Sequence, residues 1–356
     1  MNTQGAMELD TALPGPVTLR EVSGADWPAL AAGFADFTYE QDHAYAAAGA
    51  RRIGAGLRAF EVRAGDVPVG AACLRIKTVP GLGRGIAWLP AGPMIGQGPP
   101  EQAPARAGAV LEALSAQLTG REGHVLRLRL PVTGQGVTPE LMAGLGFQAS
   151  DRAPAYRTVL LDLAQDEAAL HKGLHSKWRY ELRRVDPGIE IITGRDRGFV
   201  ERFLALYRAM REFKSFDERF DPAFLLDMPD TGFDFEVCIA RHDGVDAGGH
   251  VSALTPACAT YLFGATTTAG RGLRAGYALN WHAITSARAR GARWYDLGGV
   301  DKAENPAGHT FKIRTGGSEV AALGPWERSA GAGAALVRGI EGAWTAWQRH
   351  KTRAGR

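Results

Sequence analysis

Cysteine is scarce. The 356 residues hold three, Cys73, Cys238 and Cys258, with no C-x-x-C spacing and no histidine at ligand spacing along the chain. Each lies in an apolar, strand-like run, the usual setting of a buried free thiol, so disulfide, redox and metal chemistry are not expected of them. Long apolar runs are missing as well. Nothing approaches the roughly eighteen uninterrupted apolar residues of a membrane span, and Met1 to Pro16 lacks the basic-then-apolar order of a secretory signal. A cytoplasmic protein is expected. Charge of one sign is not in excess: 41 Lys and Arg face 38 Asp and Glu, and a net +3 neither demands nor forbids an anionic partner. There is no G-x-S-x-G elbow, no H-E-x-x-H, no G-x-x-x-x-G-K-[ST] loop and no Rossmann fingerprint, which sets aside the common hydrolases, zinc peptidases, P-loop enzymes and dinucleotide enzymes. No metal or bound cofactor is expected.

What remains is an ordinary globular composition, 45% apolar and 22% charged, in a chain long enough for two full cores. After a loose leader, Val17 to Val22 reads as a strand. Phe60 to Ile76 reads as a hairpin about Ala64-Gly65-Asp66, Pro104 to Leu118 as a helix and Val125 to Leu130 as a strand. The second half repeats that order, with its own hairpin about His242-Asp243-Gly244. Phe60-Glu61-Val62 recurs as Phe235-Glu236-Val237 ahead of the second turn, which suggests a duplicated unit. The expected fold class is α/β in the α+β sense, mixed sheets flanked by helices. The predicted division is a leader at 1–16, domains at 17–160 and 161–330, and a C-terminal helix with a basic end at 331–356. In that helix Leu336, Ile340, Trp344 and Trp347 share a face expected to pack on a domain, while Arg349, Lys351, Arg353 and Arg356 form an end expected to fray.

Three constellations could carry chemistry. From Leu174 to Val185 (LHSKWRYELRRV), Leu174, Trp178, Leu182 and Val185 make an apolar stripe. Lys177 and Arg184 flank it, with Glu181 in reach of either, and Arg179 and Arg183 stand four apart on the other side. Unpaired like charges at that spacing suit a phosphate-bearing ligand or a solvated basic face. Arg271 to Gly276 follows a strand and opens a helix, where the GNAT fold holds coenzyme A on a [QR]-x-x-G-x-[GA] loop. Arg274 stands at the place of the first glycine, so this cradle is degenerate. The third is Arg293 to Gly317, RWYDLGGVDKAENPAGHTFKIRTGG. It reads as a strand, a loop started by Asp296 and Gly298-Gly299, and a further segment carrying Phe311 and Lys312. A lysine in apolar company needs an anionic or electron-rich partner. The alternatives are a strand-turn-strand with a snorkelling lysine or a site. His250, His282 and His309 are scattered and read as core or surface residues rather than bases.

SKWRYELRRVDPGIEI (Ser176 to Ile191) resembles the S-K-x-R-x-x-I-R-x-A-x-x-x-G-V-x-V signature of Fem-type peptidoglycan-bridge aminoacyltransferases. The resemblance continues through Tyr261 to Thr266, Tyr277 to Ile284, Gly291 to Gly299 and the pair Phe311-Lys312, in the family's order. It implies two tandem GNAT-like domains, without the coiled-coil arm found in some members. It also implies transfer of an amino acid from aminoacyl-tRNA to an amine of a UDP-linked or lipid-linked muropeptide precursor. A lipid-linked acceptor would bring peripheral membrane association. By the same carry-over Lys312 faces the reaction centre with Phe311 beside it. Lys177, Arg179 and Arg183 of the S-K-x-R helix, with Arg51 or Arg52 of the first domain, would bind precursor phosphates. Tyr261, Gly298 and Gly299 line the substrate site. Lys312 would donate to the oxyanion of ester aminolysis, and Asp296 either orients Lys312 or caps the glycine loop. The competing readings are an acyl-CoA-dependent N-acyltransferase and a non-catalytic GNAT-like module.

Overall fold

A computed structural model describes residues 13–134, 136–152, 155–214 and 221–354. The leader read at Met1 to Pro16 lies mostly outside them. In chain order the first elements are β1 (Val17–Glu21), α1 (Trp27–Ala31), α2 (His43–Ile53), β2 (Gly56–Ala64) and β3 (Val67–Thr78). They continue with β4 (Gly85–Leu89), β5 (Met94–Ile95), α3 (Ala103–Ser115), β6 (Val125–Leu128), α4 (Pro139–Gly144) and β7 (Gln148–Ala149). Then come β8 (Arg157–Asp162), α5 (Glu167–Gly173), α6 (Ser176–Arg183), β9 (Glu190–Gly194), α7 (Arg197–Lys214), β10 (Phe235–His242) and β11 (Val245–Leu254). The chain goes on through β12 (Cys258–Thr266), α8 (Thr268–Gly272), α9 (Ala275–Ala289), β13 (Trp294–Gly299), α10 (Pro306–Ile313) and β14 (Ser318–Ala321). It closes with β15 (Trp326–Arg328) and α11 (Gly331–Ala354). No helix among the described residues is long and apolar enough to cross a membrane.

Two sheets result, in the orders β1-β2-β3-β4-β6-β15-β7 and β9-β10-β11-β12-β13-β8-β14, with β5 pairing β3 off the first path. Each contains one parallel pair, β4 with β6 and β12 with β13, and every other pair is antiparallel. A parallel pair needs a crossover, which α3 and α9 supply. The buried residues of α3 (Ala107, Val110, Leu111, Leu114) recur at helical spacing and join the core formed by Phe60, Val62, Leu74 and Leu126. Gly70 lets α3 approach β3, since a Cβ there would lie 2.4 Å from the Val110 side chain.

The two sheets are the same sheet built twice, but the repeated tripeptide is not what aligns them. Each hairpin breaks register two residues before its turn, at Val62/Arg63 and at Ala240/Arg241, with Val69 and Ala247 skipped opposite. Matching these bulges sets Phe60 against Cys238, three residues away from Phe235. The recurrence of Phe-Glu-Val does not follow the repeated topology of the two sheets.

The predicted boundaries at 160/161 and 330/331 do not describe how the chain divides. One compact unit takes residues up to Asp36, then Gly49–Ala155 and Leu323–Arg356; the other takes Phe37–Ala48 and Tyr156–Ala322. Three pairings cause this. β8 lies between β13 and β14, while β15 returns to lie between β6 and β7. The stretch around Tyr39 and Tyr45 belongs with the second unit, because the Tyr45 ring meets Tyr39, Phe224 and Phe233 at 4.9, 5.7 and 5.4 Å.

The C-terminal helix corrects one further expectation. Its backbone is helical to Ala354, and Arg356 lies outside the described residues. Ala334 and Val337 pack against Val125, Val79, Leu82 and Ile86, whereas Leu336, Ile340, Trp344 and Trp347 are 52%, 40%, 58% and 59% exposed. The large apolar face points away from the unit that carries it. Packing is completed instead by charge. The Arg127 guanidinium, buried on β6, takes Glu327 of β15 and Glu341 of α11 at 2.7 Å each. Both carboxylates hold that guanidinium above its ordinary range against the opposing effect of burial. Removing partners from a buried charge costs more than removing the whole set. Glu327→Gln with Glu341→Gln should therefore lower unfolding stability by about 3 kcal/mol in urea titration, and adding Arg127→Met should recover at least about half.

Candidate active site

The site grows from the end of β13. Asp296 is almost fully buried, and a buried carboxylate must find donors. It finds three: the Tyr156 hydroxyl at 3.0 Å, the Thr158 hydroxyl, and the Gly298 N–H at 2.8 Å. Tyr156 and Thr158 stand two apart at the start of β8, so one face of that strand serves one carboxylate. The register of β13 on β8 slips between Asp296 and Gly299. Gly298 there has φ +72°, and a Cβ on it would lie 2.5 Å from the Tyr261 carbonyl oxygen. Only glycine fits this turn. Asp296 thus caps the glycine loop, and burial raises its pKa above the ordinary carboxylate range while these donors oppose the shift.

The segment carrying Phe311 and Lys312 is a helix, not a second strand. Asn305 caps α10 by accepting from the Gly308 N–H, and Pro306 occupies the first turn. Asn followed by Pro is a helix-start pair that the strand-turn-strand alternative overlooked. From the last turn of α10, the Lys312 ammonium donates to the Gly299 carbonyl at 2.9 Å and reaches that of Gly298 at 3.4 Å. It also stands 4.9 Å from the centre of the Tyr261 ring, a cation–π distance. Asp296 makes its hydrogen bonds elsewhere and acts on Lys312 through its field. Burial lowers the Lys312 pKa to about 8, with Asp296 opposing the shift. An ammonium has three N–H donors; two are used on carbonyls, which leaves one for an incoming oxygen.

Behind the Tyr261 ring stands a neutral wall. His250 meets that ring edge-on at 4.7 Å, and its Nε2 lies 2.9 Å from both the Ser252 and Tyr295 hydroxyls. Burial, with His282 and Lys312 nearby, pushes His250 down to about 3. It is a core histidine, as read from the sequence. Burial pushes the Tyr261 phenol up to about 12.

The other expected residues divide sharply. Phe311 packs into an aromatic trio, 5.1 Å from Tyr277 and 5.7 Å from Trp178, which themselves meet at 5.0 Å. It ties α10 to α6 and α9 and so positions Lys312 from behind. Arg179 donates to the Lys172 and Leu174 carbonyls, closing the end of α5. Lys177 and Arg183 are exposed on α6. Arg51 and Arg52 are exposed on the last turn of α2 and belong to the first unit, whereas Lys312 belongs to the second. Glu181 pairs with neither Lys177 nor Arg184 but with Arg274, at 3.0 Å. Arg274 itself holds a left-handed conformation, φ +61°, at the start of α9. Sequence reading missed Tyr156 and Thr158, because a strand placed in the first domain could not be seen to serve the second.

The fold also brings Glu236, Cys238 and His282 together, with ligand atoms within 4.8 Å of one another. This is a contact between β10 and α9 that linear spacing hides. Arg290 already neutralises Glu236, Cys238 donates to the same carboxylate, and burial pushes the thiol far above its usual range.

Residues 170–312 match the family model of the acetyltransferase (GNAT) domain. The crystal structure of FemX superposes with a TM-score of 0.77 at 16% identity, covering 91% of this chain and 100% of that one. A conserved protein of unknown function from Bacteroides thetaiotaomicron VPI-5482 superposes at 0.55 with 12% identity, covering 89% and 99%. At such identities the likeness is one of fold. No curated protein matches.

The lysine makes a pH prediction with a definite sign. Its native pKa is about 8 against 10.5 ordinarily, so between those values the unfolded chain binds a proton that the native chain does not. Stability from this group therefore rises with pH across that window. Measured by urea unfolding, the wild type should gain about 2 kcal/mol relative to Lys312→Met between about pH 7 and about pH 9.5. A flat difference would contradict the assigned environment.

Proposed function

The chain has the tandem GNAT-like fold of the Fem type, and from that premise we propose that it transfers an amino acid from aminoacyl-tRNA to a side-chain amine of a peptidoglycan precursor. The observation that carries this reading is the Lys312 ammonium, held by two carbonyls and an aromatic face with one donor to spare. Attack of the acceptor amine on the ester carbonyl forms a C–N bond and a tetrahedral oxyanion. Collapse breaks the C–O bond to the ribose, whose oxygen takes up a proton as the amine gives one up. A fixed donor to that oxyanion contributes about 2.7–4 kcal/mol, a hundred- to a thousandfold in rate. Partial burial strengthens the donor, since the charge is less screened than in water. With no side chain among the described residues placed as a dedicated base, solvent or substrate carries the amine proton.

The donor class is argued from Arg274. In a pyrophosphate cradle, glycine at that position leaves room for backbone to approach the phosphates. Here an arginine takes the left-handed conformation and spends its guanidinium on Glu181. That favours an acyl donor other than coenzyme A. Lys177, Arg183 and Arg51 or Arg52 remain the proposed phosphate contacts, whereas Arg179 is committed to the end of α5. Both a UDP-linked and a lipid-linked acceptor suit this chemistry, and a cytoplasmic reaction suits the donor.

The test supplies the protein with charged tRNA or with acetyl-CoA, together with a UDP-linked muropeptide, and follows the donor's label. Label should move from tRNA, and the transfer should be abolished by RNase. Lys312→Met should lower kcat by about a hundredfold or more while the circular dichroism spectrum is unchanged. Transfer from acetyl-CoA alone, or near-normal turnover in the variant, would sink the reading.

A further inference from the structure

The exposed apolar face of α11 has no role in the site described above. Leu336, Ile340, Trp344 and Trp347 fall within roughly 80° of one another at helical spacing, and between 40% and 59% of each is exposed. The rest of the helix is mostly glycine, alanine and polar residues, and the buried contacts are made by Ala334, Val337 and Glu341 on a neighbouring sector. The inner face is therefore complete without the stripe. Charge follows the same division. Glu341 is the last acidic residue of the chain, and Arg127 already neutralises it. Beyond it the sequence carries Arg349, Lys351 and Arg353 and no further Asp or Glu.

An apolar stripe with tryptophan beside an unbalanced basic end is the composition of a helix that lies in a lipid headgroup region. Indole rings favour that region because one edge is apolar and the N–H remains hydrated. Lysine and arginine that follow such a stripe along the chain are drawn to anionic headgroups within a Debye length. We propose that α11 docks this protein on the surface of an anionic phospholipid bilayer, with Leu336, Ile340 and Trp344 inserted and the basic end on the headgroups. The docking is peripheral and reversible. It does not depend on the transfer reaction proposed above.

The test is co-sedimentation of the full chain with phosphatidylglycerol–phosphatidylcholine vesicles and with phosphatidylcholine vesicles, at low and at high salt. Binding should be confined to the anionic vesicles and should be released by salt. Ile340→Ser with Trp344→Ala should weaken it by about tenfold or more, with an unchanged thermal melt and unchanged transfer to a soluble acceptor. Arg349→Ser, Lys351→Ser and Arg353→Ser together should abolish the preference for the anionic lipid. No binding by the wild type, or equal binding by the Ile340/Trp344 variant, would overturn the proposal. So would light scattering that finds a wild-type dimer which that variant turns into a monomer, because the stripe would then be covered by a second copy.

Discussion

A carboxylate out of reach of water organises the second unit. Asp296 cannot stay buried unless donors come to it, and those it collects lie on β8 and on the glycine loop. Its hydrogen bonds fix the loop from the N–H side, while Lys312 fixes it from the carbonyl side. Gly298 is gripped from both directions, and the ammonium inherits its position from that grip. The carboxylate need not touch the lysine to place it.

The lysine's second constraint is aromatic. Phe311, Trp178 and Tyr277 bring three helices together, and Glu181 with Arg274 adds an ion pair between α6 and the start of α9. The S-K-x-R helix is thereby tied to the lysine helix through packing rather than through a shared ligand. The polar and aromatic layers meet at neighbouring positions of α10, about 100° apart around the helix. One faces the loop and the other faces the helices behind it.

The sequence made some of this readable and hid the rest for physical reasons. Periodicity and turn chemistry located most strands and the long helices, because those signals are local. Lys312 and the Gly298-Gly299 loop stood out because a lysine in apolar company and paired glycines after a strand are both local anomalies. Helix α10 was misread because a short apolar run fits either period, and the Asn305-Pro306 start was the signal that decides it. The role of Tyr156 and Thr158 could not be seen, since pairing between β8 and β13 joins residues about 140 positions apart. Arg179 looked like a ligand contact because the carbonyls it closes belong to the preceding helix. The stripe on α11 was correctly grouped and wrongly aimed, because periodicity says which residues share a face and not which face is inward.

The return of β15 to the first sheet bears on the order in which the chain can mature. A polypeptide leaving the ribosome presents β1 to β7 first, yet the place between β6 and β7 stays vacant until β15 has emerged behind the whole second unit. Until then Arg127 has neither Glu327 nor Glu341 to meet its charge, and β6 has an open edge. The second sheet meets no such delay, since β8 is already present when β9 to β14 arrive. The half made first is therefore the half finished last. No single break in the backbone would release two self-sufficient pieces.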